Sequence, residues 1–410
     1  MRGKARAVLL LAMAIALFSG AKPKPGSDFD PSSFPPEMQS EARHIAEAYQ
    51  KFPDEAAVLY QVAAMQARVG RKEQAIETLK RMAAMGTGLD PGGRGFENLK
   101  DDRDYQRIRA QIRHDNPPVM RARLAYEVAE GKVMSEGIAY SAKTRMLYLG
   151  DARRIVSIGE DGKFAVLVPH ATGGLGDVVG IRVDDERGEL WAVSNSFSHH
   201  EADIVTGLFR FRLADGSLVK SYAIPTAEKE MLNDVAVTKN GMAYATASDS
   251  GALYRVDPKA DAVEKFLPDG TLPDPNGIVA TDDGKSLYIA GWYSISKVDI
   301  GKKQVTALDK PKNVADGCLD GLYLYRQSDL IGVQNCAHDP GRVMRYKLDG
   351  TRTRILSAQV LESYNPMFDG ITTAAIAGDD LYFVANTQLR KAGKPDVQFD
   401  PLKILRLSLK

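Results

Sequence analysis

The chain has 410 residues, a net charge of +1 and two cysteines. That length leaves room for more than one core. A near-balanced charge with no dense Lys/Arg stripe excludes non-specific nucleic-acid binders, which need such a stripe to neutralise phosphates.

Arg2, Lys4 and Arg6 precede an unbroken apolar stretch from Val8 to Phe18, and Ser19-Gly20-Ala21 follows with small residues. This is the pattern of a signal peptide over residues 1–21, and the apolar run is too short to span a bilayer. No Cys follows it, which excludes a lipid anchor there. The expectation is an exported chain, periplasmic or secreted, and not an integral membrane protein. A Pro- and Ser-rich linker over 22–36 comes next.

From 37 to 115 the pattern is helical. A helix opens after Pro53 and stops at Gly70, and a second runs from Arg71 to a stop at Gly86. Small residues at Ala63, Ala67 and Ala75 let the two approach closely. The pair resembles one tetratricopeptide repeat, flanked by helices around Ser40 to Phe52 and Asp102 to Ile112. A protein partner bound through this segment is its functional reading. A packing appendage to a larger domain is the reading favoured here, because one repeat makes no groove.

From Ala122 to Lys410 the period switches to short alternating strands that repeat six times. The openings are Glu136-Gly137-Ile138, Val179-Gly180-Ile181, Asn233-Asp234-Val235, Asn276-Gly277-Ile278, Asp320-Gly321-Leu322 and Asp369-Gly370-Ile371. Each is followed by an apolar partner strand, such as Glu189-Leu190-Trp191-Ala192 or Leu287-Tyr288-Ile289-Ala290, and usually by a third strand. Four strands in about 40 to 50 residues are a propeller blade. The chain ends one strand short of a sixth blade, and the lone strand Ala122 to Val128 is free to fill the gap and remove an open edge. The fold expected is therefore an all-β six-bladed β-propeller over 122–410 with a small α-helical, tetratricopeptide-like domain before it.

The first residue of each inner strand converges on the propeller axis. Glu136, Asn233, Asn276 and Asp320 supply two carboxylates and two amides, an oxygen-only set that suits a hard cation such as Ca²⁺. Two negative charges against a dication leave a near-neutral site, which suits burial. Asn-Gly and Asp-Gly are also ordinary turn dipeptides. Four polar openers at matching positions, with Glu136 outside turn chemistry, favour the metal.

These four motifs, in the order of blades one, three, four and five, resemble the metal-ligand motifs of the senescence marker protein/gluconolactonase/luciferin-regenerating enzyme family. That family includes regucalcin-type lactonases and is related to diisopropylfluorophosphatase and the paraoxonases. The resemblance implies Ca²⁺, or another divalent cation such as Zn²⁺, Mg²⁺ or Mn²⁺, held by Glu136, Asn233, Asn276 and Asp320, and hydrolysis of a lactone or related ester. Asp320 would accept a proton or position the nucleophile, and Asn233 and Asn276 would orient oxygens. Met231 stands where sugar-lactonase members often carry an Arg, which speaks against an aldonolactone. Asp316-Gly317 competes with Asp320 for the fifth-blade position.

Loops after the second strands open on the same face, placing Asn195, His199, His200, Ser248, Asp249, Trp292, Tyr293, Asn335 and His338 around the rim. His200 or His338 is a candidate general base, set against the more frequent case of a solvated loop histidine. Cys318 and Cys336 flank one hairpin, and the sequence leaves open whether they bridge or remain buried thiols. Against the hydrolase stands a non-enzymatic periplasmic binding or scaffold propeller with a structural metal.

Overall fold

The computed structural model describes residues 29–129, 133–196, 203–225, 230–336, 340–391, 394 and 397–410. The expected signal segment lies outside them, as do His199, His200 and His338.

Four helices come first: α1 (Gln39–Lys51), α2 (Ala56–Arg68), α3 (Lys72–Ala84) and α4 (Arg103–Asp115). Helix α2 is buried almost all round, and Ala63, Ala67 and Ala75 lie fully buried at the α2–α3 contact. The turns after α2 and α3 end in Gly70 and Gly86, both at positive φ, which glycine adopts without a steric penalty. The Asp102 carboxylate caps α4 by accepting from the N–H groups of Asp104 and Tyr105. Phe29 and Phe34, assigned to the linker from composition, are buried in this helical core.

The rest is a ring of six four-stranded antiparallel sheets. Strand β1 (Arg123–Val128) precedes blade one, which comprises β2 (Ser135–Ser141), β3 (Met146–Asp151), β4 (Arg154–Ile158) and β5 (Phe164–Val168). Blade two holds β6 (Asp177–Asp184), β7 (Glu189–Asn195), β8 (Gly207–Arg212) and β9 (Leu218–Ala223). Blade three holds β10 (Leu232–Val237), β11 (Ala243–Ala247), β12 (Ala252–Asp257) and β13 (Ala262–Leu267). Blade four holds β14 (Pro275–Ala280), β15 (Ser286–Gly291), β16 (Ile295–Asp299) and β17 (Gln304–Ala307). Blade five holds β18 (Leu319–Tyr325), β19 (Asp329–Gln334), β20 (Arg342–Leu348) and β21 (Ile355–Ser363). Blade six is built from β22 (Ala374–Ala377), β23 (Asp380–Val384) and β24 (Leu402–Ser408), and β1 supplies its outer strand. The closing ladder runs from Arg123 opposite Arg406 to Val128 opposite Leu402, so the two ends of the propeller are tied together as expected.

Second strands such as Leu190-Trp191-Ala192-Val193 are buried on both faces, which explains their unbroken apolar sequence. One apolar cluster fills each seam between neighbouring blades. The helical core continues into Tyr293, Ala315, Cys318 and Cys336 of blades four and five, so the helices dock on one face of the propeller. Two polar links reinforce that seam. Lys310 Nζ reaches the carboxylates of Glu55 (2.6 Å) and Asp316, and His44 Nε2 lies 2.8 Å from Asp274 Oδ2. Cys318 and Cys336 form a disulfide bridge.

Candidate metal centre

In blades one to five the pairing of the two innermost strands shifts register at the same place: between Ser135 and Ile138, Val178 and Ile181, Leu232 and Val235, Pro275 and Ile278, and Leu319 and Leu322. Each opener pair therefore sits in a bulge, a device that re-aims side chains out of the ladder. The glycines after Glu136 and Asn276 have a different reason from the turn reading. A Cβ on Gly137 would lie 2.3 Å from the Val179 carbonyl oxygen, and one on Gly277 would lie 2.3 Å from that of Asp320. At these two positions the neighbouring inner strands approach too closely for a side chain.

Blade six corrects one expectation. Ala374 pairs with Phe383 as Ile138 pairs with Leu149, so the position equivalent to Glu136 is Thr372. Asp369 lies outside the ladder in an isolated bridge to Asn386, and its carboxylate is 3.6 Å from Arg390. The opener ring is thus Glu136, Val179, Asn233, Asn276, Asp320 and Thr372. The hydroxyls of Thr372 and Thr373 both donate to the Glu136 carbonyl and close the ring from blade six to blade one.

Within the ring, side chains from the ends of the second strands orient the candidates. Asn335 Nδ2 donates to Asp320 Oδ2 (2.8 Å), and the Asn276 side chain also hydrogen-bonds Asp320. Asn233 Nδ2 donates to Ser248 Oγ (3.1 Å), which donates to the Pro275 carbonyl (2.7 Å) immediately before Asn276. Asn195, expected at the rim, is instead buried, and its side-chain amide clamps the backbone of Leu232 just before Asn233. Trp292 and Tyr293 are packed under the helices, whereas Asp249 is exposed. Asp316 is no competitor for the fifth-blade position. Its buried carboxylate is taken by Lys310 and by the Ile295 N–H.

A second layer lies one step down the channel, where four blades carry Ala139, Ala236, Val279 and Ala375. Blades two and five carry Arg182 and Tyr323 instead. Arg182 donates to Asp234 Oδ2 (3.2 Å) and to the carbonyls of Val235 (3.1 Å) and Ile278 (3.2 Å), and its guanidinium lies 5.5 Å from the Tyr323 ring centre. Asp234 Oδ2 also accepts from the Ile278 N–H. Sequence reasoning missed this plug. Its signal was present: an arginine at a channel position that the neighbouring blades fill with small apolar residues. It is committed to Asp234 and does not replace the cation absent at Met231.

Burial, joined by the Asp320 and Asp234 carboxylates, pushes Glu136 up to about 8. Burial pushes Asp320 up to about 6, against the hydrogen bonds from Asn335 and Asn276. Asp234 is also raised by burial, with Arg182 opposing. No hydrogen bond to the Glu136 carboxylate offsets this rise among the described residues, and Asn276 Oδ1 is buried without a partner. With Arg182 cancelling Asp234, two unbalanced carboxylates and an orphaned amide oxygen remain. That donor set fits one hard dication. Among the described residues no cluster of three or more His, Cys, Asp or Glu side chains is assembled for a metal, so any site here depends on the two amides.

Residues 134–376, more than half of the chain, match the family model described as the SMP-30/gluconolactonase/LRE-like region. Comparison with curated protein sequences finds no match. Among solved structures, the chain is similar to U3-55K at 9% identity over 71% of this chain and 100% of that one, with a TM-score of 0.52. It is also similar to a gluconolactonase from Xanthomonas campestris at 18% identity, covering 71% and 96%, with a TM-score of 0.49. A luciferin-regenerating enzyme matches at 15% identity over 69% and 94%, with a TM-score of 0.48.

Proposed function

Because the chain belongs to the SMP-30/gluconolactonase/LRE-like family, we propose that it is a metal-dependent hydrolase of a lactone or related ester, with its centre at the opener ring. The observation that carries this reading is the pairing of two uncompensated carboxylates, the half-buried Glu136 and the buried Asp320, with the unpartnered Asn276 amide oxygen. Glu136, Asn233, Asn276 and Asp320 would hold Ca²⁺ or a similar dication. Bound there, it would polarise the substrate carbonyl and make a bound water more acidic. Asp320, oriented by Asn335 and Asn276, accepts the proton of the attacking water. Asn233, fixed by Ser248, holds an oxygen of the substrate in place. Arg182 and Tyr323 close the channel below, so substrate enters and product leaves by the mouth. His200, which lies outside the described residues, is a candidate for an additional base.

Export is part of the proposal. The signal-like residues 1–21 and the Cys318–Cys336 bridge both suit an oxidising compartment. Among the described residues no helix is long and apolar enough to cross a membrane.

The test pairs calcium titration with a chromogenic lactone and ester panel, run with and without chelator. One cation per chain and chelator-sensitive turnover are expected, with both abolished by Asp320→Ala. Undiminished turnover in that variant would sink the proposal. A tightly bound cation with no turnover would move the chain to the scaffold class.

A further inference from the structure

At the seam between the helices and blade five lies a cavity of about 210 Å³, lined in part by Gly88, Asp90, Asn116, Gln334, Arg342 and Tyr364. Arg342 is 6% exposed, yet its guanidinium meets only neutral acceptors. Nε donates to Gln334 Oε1 (2.5 Å), Nη1 to the Gly88 carbonyl (3.0 Å) and Nη2 to the Thr87 carbonyl (3.0 Å). No carboxylate pairs with it among the described residues. A buried cation without a counter-charge is costly, and burial accordingly pulls the Arg342 guanidinium below its usual value. The approach is built in, because a Cβ on Gly88 would lie 2.9 Å from Arg342 Nη1, and Gly88 also has positive φ.

The surroundings add positive charge. An adjoining hollow is lined by Arg109, Arg113 and Tyr364, and the Arg113 guanidinium lies 5.3 Å from the Tyr364 ring centre. Arg109 and Arg113 share a single acid, Asp90, whose two oxygens they occupy at 2.7 to 3.3 Å. Asp115, at the cavity edge, is exposed and held by Gln111. Three guanidinium groups therefore converge on a seam with one buried carboxylate. The remaining wall includes Leu89, Val119 and Val360, which suit an apolar ligand body.

We propose that this seam is a binding site for a small organic carboxylate, with Arg342 as the principal counter-charge and Arg113 beside it. A planar fork of N–H donors matches a carboxylate, and the apolar wall favours an organic acid over a bare inorganic oxyanion. The site is separate from the opener ring, but not isolated from it. Gln334, which accepts from Arg342, donates to the carbonyls of Ala315 (3.2 Å) and Gly317 (2.6 Å), while the next residue, Asn335, holds Asp320. An acid on Arg342 thus acts on the loop and strand end that carry Asp320.

The experiment is calorimetric titration of the full chain with acetate, succinate and inorganic phosphate, each to about 20 mM, which reaches millimolar affinities. One saturable carboxylate per chain is expected. Arg342→Gln and the half-exposed Arg113→Gln each weaken it at least about tenfold, while Asp320→Ala retains it. Arg113→Gln keeps the test alive if Arg342→Gln fails to fold. The proposal is overturned by no saturable carboxylate binding, by phosphate binding more tightly than either acid, or by loss of binding in Asp320→Ala. The last result would place the acid at the ring and leave the hydrolase reading intact.

Discussion

Arg182 and Asp234 form a charge pair beneath the opener ring, and under the proposed metal reading their balance sets the charge a bound cation would meet. Asp234→Asn would leave Arg182 uncompensated below the cation and weaken dication binding by about tenfold, given Coulomb attenuation in a partly buried site. Arg182→Met would leave an extra negative charge and tighten binding. Removing both returns the charge, and the affinity, to near the wild-type value. Calcium titration of the four proteins reads the cycle, with melting temperatures alongside as a folding control. If both single variants weaken binding alike, Arg182 serves only to pack the channel. If the unmodified chain binds no dication, the metal reading itself fails.

At the scale of elements, what the sequence disclosed depended on whether the signal was local. The helix limits at Gly70 and Gly86, and the blade strands with their apolar alternation, are local patterns and were legible. Four ring residues were legible because polar openers recur at matching offsets. Thr372 was not, since Asp369-Gly370 imitates an opener and only the pairing of Ala374 with Phe383 fixes the register. The Cys318–Cys336 bridge depended on how two strand ends approach, which spacing alone leaves open. The docking of α1 was equally hidden, because His44 and Asp274 are 230 residues apart. That contact carries a pH dependence. The Asp274 hydrogen bond raises the His44 pKa above 6.5, helped by the Asp274 and Glu47 charges, and the Tyr293 ring packs alongside. A raised histidine pKa stabilises the fold fully below its unfolded value, and this contribution is lost as pH rises through the folded value. His44 is half-exposed, so screening keeps the contribution below about 1 kcal/mol. Replacing His44 by Gln should lower the melting temperature at about pH 5.5 and leave it unchanged above about pH 8. An equal deficit at both pH values would assign His44 a packing role instead.

For the whole molecule, the issue is whether helices and propeller are one cooperative unit. The helices contribute Tyr60, whose hydroxyl donates to the Cys336 carbonyl (3.3 Å), and Ala57, whose Cβ lies 2.7 Å from where a Cβ on Gly317 would stand. They also place Glu55 against Lys310, the cation that occupies buried Asp316. All of these contacts fall on the propeller face where the opener ring emerges, next to the strand that carries Asp320. A peptide-binding arm would keep its repeat faces free, whereas here α2 is consumed by its neighbours and by the propeller. Ala57→Arg forces a long charged side chain into this seam, and overpacking a buried position costs about 1 to 3 kcal/mol, with the unpaired charge adding to it. Scanning calorimetry of the full chain should therefore show a single transition in both proteins, shifted downward as a whole in the variant. Two transitions, with the upper one unmoved by the substitution, would mean that the propeller stands without the helices and that the segment is an independent module after all.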